Sequence, residues 1–315
     1  MSNLKLINMR DVKIESVEWL FYPFIPCGKI TIIQGDPGEG KTTLVLQIIA
    51  RLTKGERIME EEAKAPINVI YQTAEDGLGD TIKPRLLSAD ADCSRVLVID
   101  DKDIPLTMRD SRLEQAIIET KAKLVVLDPI QGFLGANVDM HRANEIRPVM
   151  KHISELAEKY RCAVVLIGHM NKCSIGKSAY RGLGSIDFQA AARSVLVVGR
   201  IKDEPETRVI CQIKNSLAPE AKPIAFKLGK DSGFEWLGEY DITADELLSG
   251  SAKSTKKQAA IDFLEALLSD GHKCQTEIMK TAKEKGFSEK TMRNAKEELK
   301  IKSIRKNNKW YWNLD

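Results

Sequence analysis

Eight consecutive residues, Gly35-Asp36-Pro37-Gly38-Glu39-Gly40-Lys41-Thr42, carry the clearest chemistry in the sequence. Their form is G-x-x-x-x-G-K-T, a Walker A pattern. Glycines at this spacing let the backbone turn so that successive N–H groups cradle phosphates. A helix starting there adds partial positive charge. A lysine placed as Lys41 reaches the β- and γ-phosphates of a nucleoside triphosphate, and a hydroxyl placed as Thr42 ligates Mg2+. Thr43 continues the cradle. ATP with Mg2+ is the expected ligand pair.

Such a cradle needs carboxylates at the ends of neighbouring strands. The run LVVLDP ends an apolar strand on Asp128 and breaks it with a proline, which suits an acid that holds Mg2+ through water. Asp100, ending RVLVID, is its rival, with Asp101 beside it. Hydrolysis also needs a group that orients or deprotonates water. In VIYQTAED, Glu75 stands just past a strand end, and Asp76 is the alternative. His169 closes a further apolar run, CAVVLIGHM, and composition alone gives it no use.

The elements around these residues alternate. Strand patterns cover 29–35, 67–76 with its polar loop, 95–100, 123–129 and 162–170. Helical patterns cover about 41–52, 112–122 and 147–161. Strands at 194–201, 206–215 and 223–229 follow without helices between them. Repeated β-α-β with continuous apolar strands predicts a mostly parallel α/β sheet covered on both faces, finishing in hairpins at one edge. SGSAKST (249–255) reads as a linker, dividing an ATPase domain over 1–248 from a small domain over 256–315. The small domain reads as a helix up to Gly271, helices over 276–286 and 288–300 with Ser288 as N-cap, and a hairpin turning at Asn307-Asn308.

The 315 residues are 43% hydrophobic and 30% charged, enough for a real core. The net charge of +3 is uneven. From Lys253 to Asp315 there are 15 Lys and Arg against 9 Asp and Glu, a balance of +6 that leaves −3 on the rest. A basic tail on a near-neutral body suggests a polyanion partner. The six cysteines form no C-x-x-C pair, as expected of reduced thiols in a cytoplasmic protein. No signal peptide or membrane span is evident, so no membrane partner is expected.

GDPGEGKT, YQTAED, LVVLDP, GHMNK and AARSVLVV, in that order, resemble the RecA-like P-loop ATPases. The likeness covers roughly residues 10 to 230 and is nearest to the RepA-like hexameric helicases carried by plasmids and phages. The resemblance implies a RecA-like core acting as a homo-oligomeric ring, a hexamer, in DNA replication. It makes Glu75 the catalytic glutamate, Asp128 the Mg2+ acid and His169 the γ-phosphate sensor. It also implies a positive finger from the neighbouring subunit. Arg193 matches that position best and Lys214 is a second candidate. The related Lys-x-Arg reads Lys214-Asn215-Ser216 here, without the arginine. In RecA-like motors the loop after the sensor touches single-stranded DNA. Here that loop, 171–185, offers Lys172, Lys177, Tyr180 and Arg181.

The C-terminal outline resembles the winged helix-turn-helix that ends many prophage ATPases. Its recognition helix would present Lys290, Arg293 and Lys296 at three-residue steps, with Lys306 and Lys309 on the wing. Duplex DNA is the implied partner, and WYW (310–312) is expected to pack the hairpin onto the helices. Three functions stand: a nucleic-acid-dependent helicase motor, a non-translocating ATP-controlled DNA-binding regulator or loader, and a metabolic P-loop kinase. The kinase is the weakest, since no substrate lid is visible and a basic small domain has no use in it.

Overall fold

The computed structural model describes residues 6–136, 138–170, 186–229, 233–249, 252–269, 271–306 and 309–314, and at 186, 252–258, 290 and 309 it describes the backbone. The chain divides into two compact units: Met1–Gly199 with Glu206–Tyr240, and Arg200–Pro205 with Asp241–Asp315.

The first unit opens with a short antiparallel pair, β1 (Trp19–Phe21) and β2 (Ile25–Pro26). It continues with β3 (Ile30–Gly35), α1 (Lys41–Lys54), β4 (Val69–Thr73), α2 (Lys83–Ser88), β5 (Val96–Leu97), α3 (Ser111–Thr120) and β6 (Leu124–Asp128). Then come α4 (Ala143–Tyr160), β7 (Ala163–His169), α5 (Ile186–Ala191), β8 (Ser194–Ile201), β9 (Glu204–Asn215), β10 (Ile224–Gly229) and β11 (Gly233–Glu239). Among the described residues, nine strands form one sheet in the order β11-β10-β9-β8-β3-β7-β6-β4-β5. The neighbours from β8 across to β5 run parallel, whereas β9, β10 and β11 pair antiparallel at the edge.

Central strands buried on both faces explain the unbroken apolar runs. Leu124 and Val126 of β6 face one core with Leu44, Ile48 and Ile49 of α1. Val125 and Leu127 face the other, with Ile117 of α3 and Val149 and Ile153 of α4. Each such side chain contributes about 1.5–3 kcal/mol by leaving water. This sandwich holds the C-terminal ends of β3, β4, β6 and β7 in register, so the loops that follow them converge.

The boundaries differ from the sequence expectation where short-range chemistry decided them. Helix α1 runs on to Lys54, because Gly55 at φ 71° supplies the left-handed cap and donates to Arg51 and Leu52 carbonyls. Helix α4 begins at Ala143, a turn before Pro148, which sits inside it. Strand β5 keeps only two residues of RVLVID, since it is an edge strand with β4 as its single neighbour in the sheet. The polar stretch after β4 contains a helical turn at Leu78–Ile82 and then α2.

Gly35 ends β3 where an added Cβ would stand 2.2 Å from the Val198 carbonyl oxygen of β8. That contact is backbone and has no side chain to swing aside. Gly35→Ala is therefore expected to cost at least about 1–3 kcal/mol, measured by denaturant unfolding. A variant as stable as the parent would mean that the strands separate freely there.

In the second unit, α6 (Ala244–Ser249) and α7 (Ala252–Leu268) occupy most of the stretch expected as linker. The small polar residues at 252–255 are helical, within α7, and the second compact unit takes in Arg200–Pro205 as well as Asp241–Asp315. Next come β12 (Lys273–Cys274), α8 (Gln275–Glu284), α9 (Glu289–Glu298), β13 (Lys302–Lys306) and β14 (Lys309–Asn313), with sheet order β12-β14-β13. Ser288 caps α9, its Oγ accepting the Thr291 N–H at 3.1 Å. Ala260, Leu264, Ile278, Met292, Ala295 and Trp312 form this unit's own core. Trp312 is buried, but Trp310, beside the turn, is 49% exposed, so the WYW run packs only in part. The expected turn residues Asn307 and Asn308 lie outside the described residues.

Candidate active site

The loop between β3 and α1 begins where β3 stops pairing. Glu39 N–H closes a turn onto the Asp36 carbonyl at 3.4 Å. Gly38 and Gly40 take φ values of 80° and 86°, which side chains disfavour. At Gly40 a Cβ would also meet Leu228 Cδ2 of β10 at 2.9 Å. The first N–H groups of the fourteen-residue helix α1 thus open toward the cleft. Asp36, Pro37 and Thr43 belong to the same loop and first turn, and Thr43 lines the cleft.

Lys41 is 5% exposed. Its Nζ donates to the Gly35 and Asp36 carbonyls at 2.9 and 2.8 Å. Burial pushes its ammonium below the ordinary lysine value, while Asp128, Asp36 and nearby glutamates hold it up. The same Nζ lies 3.4 Å from His169 Nδ1. An ammonium has no lone pair, so Nδ1 accepts, and a neutral ring carries its proton on Nε2. That nitrogen faces Glu75 Oε2 at 3.8 Å, beyond direct hydrogen bonding.

Register explains why His169 arrives here. Gly35 of β3 is paired with His169 of β7, and Thr73 of β4 with Asp128 of β6. Ala74 N–H bonds the Asp128 carbonyl at 2.9 Å, anchoring the start of the loop that carries Glu75. Asp76 is held differently: its Oδ2 pairs with Arg85 of α2 at 3.2 Å. The geometry therefore separates the two acids, Glu75 facing His169 and Asp76 facing Arg85.

Asp128 is 8% exposed, and its Oδ2 accepts from Thr42 Oγ1 at 2.7 Å and from the Tyr71 hydroxyl at 2.8 Å. Burial pushes its carboxyl above the ordinary value, against the two hydroxyl donors that pull it down. Its rival Asp100 is exposed beyond β5, accepting from Lys102 N–H at 3.3 Å, and does not line the cleft. Thr42 and Asp128 offer hard oxygen donors side by side. That suits Mg2+, which keeps several waters and leans on one or two protein oxygens and on phosphates.

Lys41, Thr42, Thr73, Glu75, Asp128 and His169 line one cleft of 320 Å³. A larger groove of 560 Å³, lined by Phe21, Tyr22, Ile58 and Met59, holds none of the loop residues. Tyr71 and Arg85 are missing from the sequence reading. Tyr71 left a trace: a phenol inside a buried strand requires a hydroxyl partner. Arg85, ten residues past Glu75, left none.

Arg193 and Lys214 are not brought to this cleft. The Arg193 N–H bonds the Ile30 carbonyl at the start of β3, which is about 17 Å of strand away from Gly35. Arg193 is exposed there. Lys214 Nζ bonds the Gln189 and Ala190 carbonyls at the end of α5, at 2.6 and 3.2 Å. Burial, then Arg193, pushes its ammonium below the ordinary value. Lys172, Lys177, Tyr180 and Arg181 lie outside the described residues. In the second unit, Lys296 Nζ bonds Ser303 Oγ at 2.6 Å and sits 4.8 Å from the Trp312 ring centre. Arg293 is exposed, 3.9 Å from Glu289, and Lys306 is exposed on β13. Lys290 and Lys309 are placed by backbone alone, on α9 and β14.

Among the described residues, no helix is long and apolar enough to cross a membrane. The family described as AAA domain matches residues 3–174. Protein RecA of Sinorhizobium medicae is 26% identical over 227 residues, covering 68% of this chain and 60% of that protein. Protein RecA of Bordetella pertussis is 26% identical over 227 residues, covering 68% and 62%. The chain thus spans about three fifths of the length of these curated relatives. Among solved structures, the KaiC-like protein PH0186 of Pyrococcus horikoshii superposes with a TM-score of 0.50 at 17% identity, covering 71% of this chain and 98% of that one. The ATPase domain of G40P gives 0.51 at 13% identity, covering 67% and 85%. At these identities the likeness is one of fold, and the fold is a RecA-like P-loop core. With more than half of its residues matched by the family and the phosphate loop inside that match, the chain belongs to the AAA domain family.

Proposed function

We propose that the protein hydrolyses ATP with Mg2+ as a nucleic-acid-dependent motor, a RepA-like replicative DNA helicase acting as a hexameric ring. The observation that carries this reading is convergence: Thr42 with Asp128 at 2.7 Å, and Lys41 with His169 at 3.4 Å beside Glu75, all around one loop.

The residues divide the work as follows. Lys41 and the loop amides hold the β- and γ-phosphates. Thr42 and Asp128 would hold Mg2+, which when bound neutralises charge on the phosphate oxygens. Glu75 takes the proton of the attacking water as general base. His169, hydrogen-bonded to Lys41 before nucleotide arrives, changes partner when the γ-phosphate is present and passes that change into the loop that follows. Arg193 of a neighbouring subunit stabilises transition-state charge. Lys172, Lys177, Tyr180 and Arg181 grip single-stranded DNA, and the second unit binds duplex DNA as a winged helix through Arg293, Lys306 and their basic neighbours. Likeness to RecA proteins and to an ATPase domain supports the reading.

One observation favours a second reading, an ATP-controlled regulator or loader that does not translocate. Lys214, the second candidate finger, is bound to the α5 carbonyls of its own subunit. Steady-state ATP hydrolysis at fixed salt, with and without single-stranded DNA, separates the two. The motor requires stimulation of several-fold, abolished in Lys41→Ala. Slow turnover indifferent to DNA would leave only the regulator, and no turnover at all would remove both.

A further inference from the structure

We infer that Tyr71 is a positioning residue of the nucleotide site, fixing the Asp128 carboxylate so that one oxygen takes both protein hydroxyls and the other is left for the water shell of a divalent cation. The inference rests on the reading that the site takes ATP with Mg2+.

Tyr71 lies on β4, opposite Val126 of β6 and one alternate position before the Thr73–Asp128 pair. Residues two apart on a strand share a face. The phenol therefore extends along that face toward Asp128, two residues beyond its own partner. Tyr71 has no exposed surface and belongs to the apolar core beside α1. A phenol is protonated at neutral pH, so the hydroxyl donates to the Asp128 carboxylate. A buried hydroxyl with no partner would cost roughly 1–3 kcal/mol, so this core position has been given one particular acceptor.

Both hydroxyls converge on Oδ2, Thr42 at 2.7 Å and Tyr71 at 2.8 Å. Among the described residues, Asp128 Oδ1 takes no side-chain hydrogen bond. Two donors on Oδ2 resist rotation of the carboxylate about its last bond. The single Thr42 proton is committed to Oδ2, so the Thr42 oxygen offers lone pairs outward. Without the Tyr71 hydroxyl, one donor holds the carboxylate, and either oxygen can take it. Carboxylates next to a metal are commonly fixed by outer hydrogen bonds in this way, and losing them weakens metal affinity by about 10- to 100-fold.

Tyr71→Phe removes the hydroxyl and keeps the ring. Binding of a methylanthraniloyl-labelled ATP, followed by fluorescence, gives affinity in EDTA and the Mg2+ concentration at half effect, without turnover. The variant is expected to match wild type in EDTA, to need about tenfold more Mg2+, and to unfold cooperatively. An unchanged Mg2+ titration would overturn the inference. So would a parallel loss of affinity in EDTA, which marks a merely structural role. In an Asp128→Asn background the added Tyr71→Phe change should leave the Mg2+ titration where it was, and a persisting tenfold shift would also overturn it. If wild type itself binds the probe with no response to Mg2+, the ATP–Mg2+ reading fails first, and that outcome is visible before any variant is made.

Discussion

Glu75→Gln is expected to bind ATP with wild-type affinity and to hydrolyse it about 10²- to 10⁴-fold more slowly, the range for removal of a general base. Three features single out Glu75. It follows the end of β4, where the Ala74–Asp128 backbone bond fixes the loop. Its carboxylate is 64% exposed and turned toward His169, free to meet a water over the phosphate cradle. Its neighbour Asp76 is engaged with Arg85 at 3.2 Å. Glutamine keeps the size and loses the basicity, so the effect falls on kcat while KM stays close to wild type. Asp76→Asn, by contrast, breaks an exposed ion pair and should leave the rate within about tenfold, since such pairs contribute about 0–1 kcal/mol. If Glu75→Gln kept more than a tenth of the turnover, or Asp76→Asn lost as much as it, the base would have to be reassigned.

Arg193→Ala is expected to lower kcat by about 10³- to 10⁵-fold, the worth of an arginine finger, with ATP binding and fold intact. Arg193 is anchored at the opposite end of β3 from its own phosphate loop. No side-chain motion spans five strand residues, so the guanidinium can meet a γ-phosphate only at the site of a neighbouring subunit. Mixing provides the decisive comparison. Arg193→Ala and Glu75→Gln proteins, each inactive alone, should recover activity when combined, because some interfaces pair an intact glutamate with an intact finger. No recovery would place Arg193 outside the site. Lys214→Ala should instead lower stability, by freeing the Gln189 and Ala190 carbonyls, with little direct effect on the rate.

The site was legible in the sequence to different depths. Lys41, Thr42 and Asp128 could be read because motif spacing and a strand end fix both residue type and place. His169 needed its ordered neighbours, since a histidine at a strand end is ambiguous by itself. Tyr71 was hidden because it also satisfies the apolar pattern of its strand. Arg85 was hidden because α2 is too short to show periodicity, and a helical turn at Leu78–Ile82 precedes it. The sheet's parallel centre was legible from continuous apolar strands. β11, whose exposure alternates as befits an edge strand, and the two-residue β2 were not. The helical state of 252–255 was hidden for a similar reason: small polar residues favour loops only when no helix extends into them, and α7 does.

The contact between Gly35 and Val198 gives β8 a mechanical meaning. One end of this strand begins beside Arg193, and the Val198 carbonyl in its interior leaves no room for a side chain at Gly35, the last residue of β3. Pairing of Ser194–Val197 with Thr31–Gln34 of β3 stiffens its first half, and packed interiors transmit strain rather than absorb it. In the ring proposed above, β8 would act as a strut. Its near end feels the contents of the adjacent pocket through the arginine, and its flank bears on the rim of the subunit's own. Occupancy at one interface would then reach the next as a small rigid displacement, without any hinge between them, so firing order around the circle could be set by the stiffness of a single strand.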